Sequence, residues 1–300
     1  MFPRELSPDV GLAYAAAAAL LLGVYLVVYK RYFSDYPTTV YVFSVEGLGL
    51  CWYLLLAVVT YGGGPAVPAA TPPRALLLVA GVAVAAGAAS VVSIRALQVG
   101  DVSYAAPLSK LVPLFVLPLE LVVVGGTLGP LQAVGVVVAT GAVYVANYDP
   151  AAGSATAPFR AAVARPAGRL ALASAALFAC ADVGSRLLLQ ELALAPQAVA
   201  LATFAGIVLV TAPFALRHDR AAFAGLLPRL VPVAGGFAVG VHLVTLSFAR
   251  LPASVASPVV NTQAVVAVLL GGLVLQEEST GRRLAAAGLA VAGIALLALG

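Results

Sequence analysis

Charge is scarce in this sequence. Only 9% of its 300 residues are Asp, Glu, Lys or Arg, against about 25% in soluble domains. So few charges cannot cover a water-soluble fold of this length. With 62% hydrophobic residues and a mean hydropathy of +1.06, the solvent for most of the chain is lipid. Cysteine is scarce as well. Cys51 and Cys180 lie in apolar runs with no CxxC or Cys/His spacing beside them, which argues against a disulfide framework and a metal site. Histidine occurs twice, at His218 and His242, which weakens a metal-dependent membrane enzyme. No nucleophile elbow, P-loop, HExxH or dinucleotide fingerprint occurs, so no cofactor, no catalytic residue and no ATP hydrolysis are expected. The net charge of +4 does not point to nucleic acid. The cations stand singly or in pairs at the ends of apolar runs, where they anchor to headgroups and set topology.

What is present is a series of long apolar segments. A bilayer core of about 30 Å needs about 20 helical residues. Ten segments meet that length, approximately 10–29, 38–60, 75–97, 102–124, 129–147, 169–189, 195–216, 229–249, 253–276 and 282–299. They are continuously apolar rather than alternating, which favours helices over a β-barrel. The first is longer than the apolar core of a signal peptide and is read as a retained helix. Punctuation supports the cuts: Lys30-Arg31 with Pro37, Gly62-Gly63-Gly64-Pro65, Gly125-Gly126, and Arg217-His218-Asp219-Arg220. The longest polar break, 148–168, carries Pro150, Pro158 and Pro166 and reads as a linker. It separates a first unit, 1–147, from a second, 169–300.

The two units resemble each other. An offset of 151 pairs Ser103 with Ser254, Ala105 with Ala256, Pro107 with Pro258 and Lys110 with Asn261. Lys30 ends the first helix as Arg186 ends the sixth, and Pro37 and Pro196 open the helices that follow. Five spans per copy place the second copy upside down relative to the first. The predicted fold is therefore an all-α membrane protein of ten transmembrane helices in two inverted five-helix repeats. In secondary transporters of that kind the substrate site lies at the midplane between repeats.

With these features the chain resembles the EamA-type transporters of the drug/metabolite transporter superfamily. The resemblance rests on Arg95-Ala96-Leu97 through Pro107 and Pro113 to Gly135 and Gly141. In the second copy it rests on Ser247-Phe248 through Pro258 and Glu277 to Gly288 and Gly293. The first copy departs from the pattern, with Gly125-Gly126 where the second has Glu277. The resemblance implies a secondary carrier of small metabolites, with cytoplasmic termini. The cation count disagrees on orientation. Leaving out Lys110, four Lys and Arg fall on the side of the termini and eleven on the other, and the positive-inside rule then puts the termini outside.

Ionisable residues within spans are costly and are functional candidates by default. Glu46, Lys110, Glu120, Asp182, Arg186 and His242 qualify. Glu46 and Lys110 are expected to pair across a cavity, as a binding or proton-linked pair or as a structural one. Asp182 is a candidate proton carrier, and Arg186 stands one turn from it. His242 is a candidate relay or a packing histidine. Asn261 and Gln263 suit hydrogen bonding to a polar substrate or across helices. Pro107, Pro113, Pro118 and Pro258 interrupt backbone ladders and are expected to kink their helices. Tyr41 and Tyr104 are the preferred wall residues, among Tyr14, Tyr25, Trp52 and Phe115. The function expected is secondary transport of small metabolites, amino acids or related and aromatic compounds, with export as the direction, by alternating access in the plasma membrane. The partners are the substrate and the bilayer, and the protein is a monomer or homodimer. The alternatives are a sugar-derivative carrier, a membrane enzyme acting on lipids, and a scaffold.

Overall fold

The computed structural model describes residues 8–62, 73–123, 129–146, 156–188, 192, 194–248, 250, 259–276 and 280–299. Pro258, Glu277 and Glu278 lie outside them, as do the side chains of Pro113, Glu120 and Arg186. All regular structure among the described residues is helical. The elements are α1 (Pro8–Tyr32), α2 (Thr38–Tyr61), α3 (Pro73–Val99), α4 (Val102–Ser109), α5 (Val112–Val123), α6 (Pro130–Ala146) and α7 (Ala157–Ala164). They continue with α8 (Pro166–Arg186), α9 (Pro196–Ala215), α10 (Arg220–Ala224), α11 (Leu227–Phe248), α12 (Gln263–Val274) and α13 (Thr280–Leu299). Six of them, α1, α2, α3, α8, α9 and α11, hold spans long and apolar enough to cross a membrane. In hydrocarbon the backbone must pair within its own segment, so runs of this composition become helices. Gly62 closes α2 in the left-handed conformation (φ 70°) that lets its N–H reach the Val58 carbonyl at 3.0 Å.

Two segments expected to be kinked by proline are interrupted outright. Within 102–124 the helix stops at Ser109 and resumes at Val112. Pro113 has no N–H to offer the Ser109 carbonyl, and the chain tightens around Lys110, whose N–H goes to the Ala106 and Pro107 carbonyls. Within 253–276, the described part breaks at Thr262, whose hydroxyl donates to the Val259 carbonyl at 2.6 Å. Helix resumes at Gln263, 151 positions after Val112. The two breaks therefore stand at matching places in the two copies.

Most extensive packing is between the halves rather than within them. α6 lies along α13, α3 packs on α8 and α9, and α11 packs on α1 and α2. α2 meets α9, α1 meets α12, α4 and α5 meet α8, and α4 meets α12. The two sequence units thus interleave into one bundle. Without a hydrophobic force between helices in lipid, close approach depends on small residues. Gly184 of α8 faces Val82 of α3, where a Cβ would come within 2.5 Å of Cγ2. Gly206 of α9 faces Ala83, whose Cβ already fills the place a side chain would take. Gly206→Val is expected to cost about 1–3 kcal/mol through overpacking. Thermal unfolding in detergent reads this as a lowered midpoint, and an unchanged midpoint would mean that α9 and α3 are not pressed together there.

At one end of the bundle Lys30 does more than sit at the interface. Its ammonium donates to the carbonyls of Leu97 (2.7 Å), Gln98 (3.3 Å) and Gly100 (2.7 Å), capping α3. The Gln98 amide in turn holds the turn between α1 and α2 through the carbonyls of Ser34 and Tyr36.

Candidate functional site

Two groups of side chains gather the predicted residues. The first is built on α2. Glu46, Gly49 and Tyr53 recur at helical spacing and share one face. Glu46 is 5% exposed and Tyr53 is fully buried. Gly49 lets the Phe204 ring of α9 come close, within 3.0 Å of where a Cβ would stand. The Tyr53 ring lies 5.5 Å from Phe204 and 5.8 Å, edge-on, from His242 of α11. Phe204 meets Phe237 of α11 at 6.1 Å, and Phe237 meets Tyr25 of α1 at 4.8 Å. Tyr41 stacks on Tyr29 at 4.6 Å. Glu46 is electrostatically coupled to the hydroxyls of Tyr25 and Tyr41. No hydrogen bond or ion pair to its carboxylate occurs among the described residues. A buried carboxylate on the helix face that also carries this aromatic cluster is chemically suited to an ammonium or another cation.

The second group sits at the break between α4 and α5. Lys110 is half-buried there, with its ammonium 5.9 Å from the centre of the Phe178 ring of α8. The carboxylate within electrostatic range of it is Asp182, one turn beyond Phe178 on α8, with no ion pair closed between them among the described residues. This replaces the expected Glu46–Lys110 pair. α4 and α5 pack on α8, not on α2, so the carboxylate within reach of Lys110 is the one on α8. Beside them α5 and α8 pack through a small apolar cluster of Val112, Ala175 and Ala179, with Phe115 and Phe178 against it. Asp182 itself is exposed.

The remaining candidates scatter. Asn261 is half-buried just before the break at Thr262, and Gln263 is buried just after it. The Gln263 carbonyl approaches Gly23 of α1, within 2.9 Å of where a Cβ would stand. Pro107 is buried inside α4. Tyr104 stands on α4 near the start of α8: its hydroxyl approaches Gly168, and the Arg165 guanidinium lies 5.4 Å above its ring. The rings of Phe204 and Phe237 are members of the first group that sequence reasoning missed. A lone Phe in an apolar run carries no signal that separates a wall from lipid-facing packing. Among the described residues no cluster of three His, Cys, Asp or Glu side chains could hold a metal ion.

Comparison with known proteins fits this architecture. No curated protein matches the chain. Solved structures do, and one, described only as the crystal structure of a protein, superposes with a TM-score of 0.61 at 16% identity. That match covers 95% of this chain and 94% of the other, and at such identity it shows a shared fold. The model of the EamA-like transporter family matches twice, over residues 9–148 and 167–299. Nearly the whole chain is accounted for by two matches separated by the polar break. A multi-pass helical membrane protein so composed belongs to the EamA-like transporter family, within the drug/metabolite transporter superfamily.

Proposed function

We propose that the protein is a secondary carrier that exports small metabolites, amino acids or related aromatic compounds, across the plasma membrane. It works by alternating access between two inverted five-helix repeats, 1–147 and 169–300, joined by the linker 148–168. The observation that carries this reading is the packing pattern. Exchange α1 with α8, α2 with α9, α3 with α11, α4–α5 with the segment containing α12, and α6 with α13. The neighbours then map onto one another: α3 on α8 becomes α11 on α1, and α3 on α9 becomes α11 on α2. The pairs α2–α9, α6–α13 and α4–α12 map onto themselves. Such a pattern supports a two-fold relation between the copies, and five spans per copy make it an inverted one.

The match is imperfect in a useful way. α3 packs on α8 more extensively than α11 packs on α1. In an inverted-repeat carrier, exchanging the conformations of the two copies converts one access state into the other. Unequal mates fit a chain caught in one of those states. Asp182 adds a second support. A carboxylate exposed on a membrane helix is too expensive to face hydrocarbon, so it is best placed on a water-filled path.

The test is counterflow in liposomes containing the purified protein. Labelled amino acids and aromatic metabolites are expected to exchange against an unlabelled internal pool. No exchange with any pool, together with turnover of a phospholipid, would overturn the carrier in favour of an enzyme acting on lipids.

A further inference from the structure

At the end of the bundle where Lys30 caps α3, a pocket of about 300 Å³ opens between the α3–α4 turn, the start of α8 and the first turn of α13. Two glycines shape it. A Cβ on Gly100 would stand 2.5 Å from the Ala167 Cβ, and one on Gly168 would stand 2.8 Å from the Tyr104 hydroxyl. The α3–α4 turn therefore comes up against the start of α8.

Three charges line the space. Arg283 of α13 is 13% exposed and donates to Ser103 Oγ at 2.6 Å and Asp101 Oδ2 at 2.8 Å. Asp101 stands at the rim, 50% exposed. The Arg165 guanidinium lies 5.4 Å over the Tyr104 ring and has no side-chain hydrogen bond or carboxylate among the described residues. A cation–π contact with the ring leaves guanidinium N–H groups for a ligand. The pocket thus has one more cation than anion. The start of α8 adds partial positive charge, because Arg165 makes no side-chain cap there.

The pocket is not a member of the repeat. At the offset of 151, Asp101 is answered by Pro252 and Tyr104 by Val255. A central translocation site serves both access states, whereas a feature present in one copy only lies at one membrane face. That face carries eleven Lys and Arg, Lys30, Arg95, Arg165 and Arg283 among them. The anion most abundant beside such a face is phosphate, on a lipid headgroup or free.

We propose that this pocket binds a phosphate group, with Arg165 as its first contact and Arg283 as its second once Asp101 releases it. The full-length protein in neutral detergent is examined by native mass spectrometry with phosphatidylglycerol or with glucosyl diacylglycerol, which has no phosphate. A parallel series follows thermal unfolding with inorganic phosphate. Phosphatidylglycerol is expected to be retained, and Arg165→Gln to weaken its retention about tenfold, the loss of one charge-assisted contact. Asp101→Asn is expected to strengthen retention, because it removes the carboxylate that competes for Arg283. A role confined to folding would make both variants weaker. Stabilisation by inorganic phosphate that Arg165→Gln abolishes identifies free phosphate as sufficient, and a response to the lipid alone identifies the headgroup. Equal retention of the glucosyl lipid, or retention that neither variant changes in the expected direction, would overturn the site. Arg165 is exposed, so its variant folds, and its unliganded unfolding midpoint checks this.

Discussion

Lys110→Met and Asp182→Asn are each expected to abolish counterflow, and the double variant is expected to fold like the parent while remaining inactive. Lys110 occupies the turn between two half-helices, where its backbone N–H is shared between the Ala106 and Pro107 carbonyls. Its side chain runs to α8, with Phe178 beneath the ammonium and Asp182 one turn further on. Removing either charge leaves the other without compensation inside a membrane bundle. The stability cost falls below the roughly 3–5 kcal/mol of a fully buried pair, because Asp182 is exposed. Removing both charges restores balance, so the unfolding midpoint of the double variant returns toward that of the parent. Flux is the second readout. A pair on the path takes part in binding or in moving charge, and balanced neutral side chains cannot replace it. Return of flux in the double variant would reduce the pair to a tie between α4–α5 and α8.

The six long spans were legible because lipid imposes one requirement, about 20 apolar residues with no unpaired backbone. The interruptions were only half legible. Pro107 and Pro113 announce disturbance, but the turn falls between them, at Lys110, where the Ser109 carbonyl loses the donor that Pro113 lacks. The partner of Lys110 was not legible. Acids at Glu46, Glu120 and Asp182 all lie within spans, and the choice depends on α4 and α5 lying against α8, a tertiary fact without a local signal. Lys30 shows the same limit. A lysine at the end of an apolar run reads as headgroup anchoring, yet here it reaches three carbonyls at the end of α3. Tyr104 was read as a wall of the substrate path, and its contacts with Arg165 and Gly168 place it in the end pocket. The burial of Glu46 was legible for a physical reason. An acid near the middle of an apolar run is expensive, and the chain keeps it buried on the α2 face that also carries Tyr53.

That expense makes Glu46→Gln the cleaner test of the site. Glutamine keeps the shape of the side chain and removes its charge, so the packing of Gly49 against Phe204 and of Tyr53 against His242 is retained. The carboxylate has no cation or hydrogen-bond donor among the described residues, so the fold loses no pair with it. Its desolvation opposes folding, and the variant is expected to unfold at the same temperature as the parent or higher. A substrate ammonium seated between the carboxylate and the rings of Tyr25 and Tyr41 would lose a charge-assisted contact of about 1.5–3 kcal/mol. Exchange of amino acids in liposomes is therefore expected to fall about 10- to 100-fold. The two readouts moving apart, stability held or raised and flux lost, is the signature of a group kept for function at the expense of folding. A variant that transports at the parental rate would leave Glu46 a buried acid of the bundle and would shift the search for the cation-binding surface to Asp182.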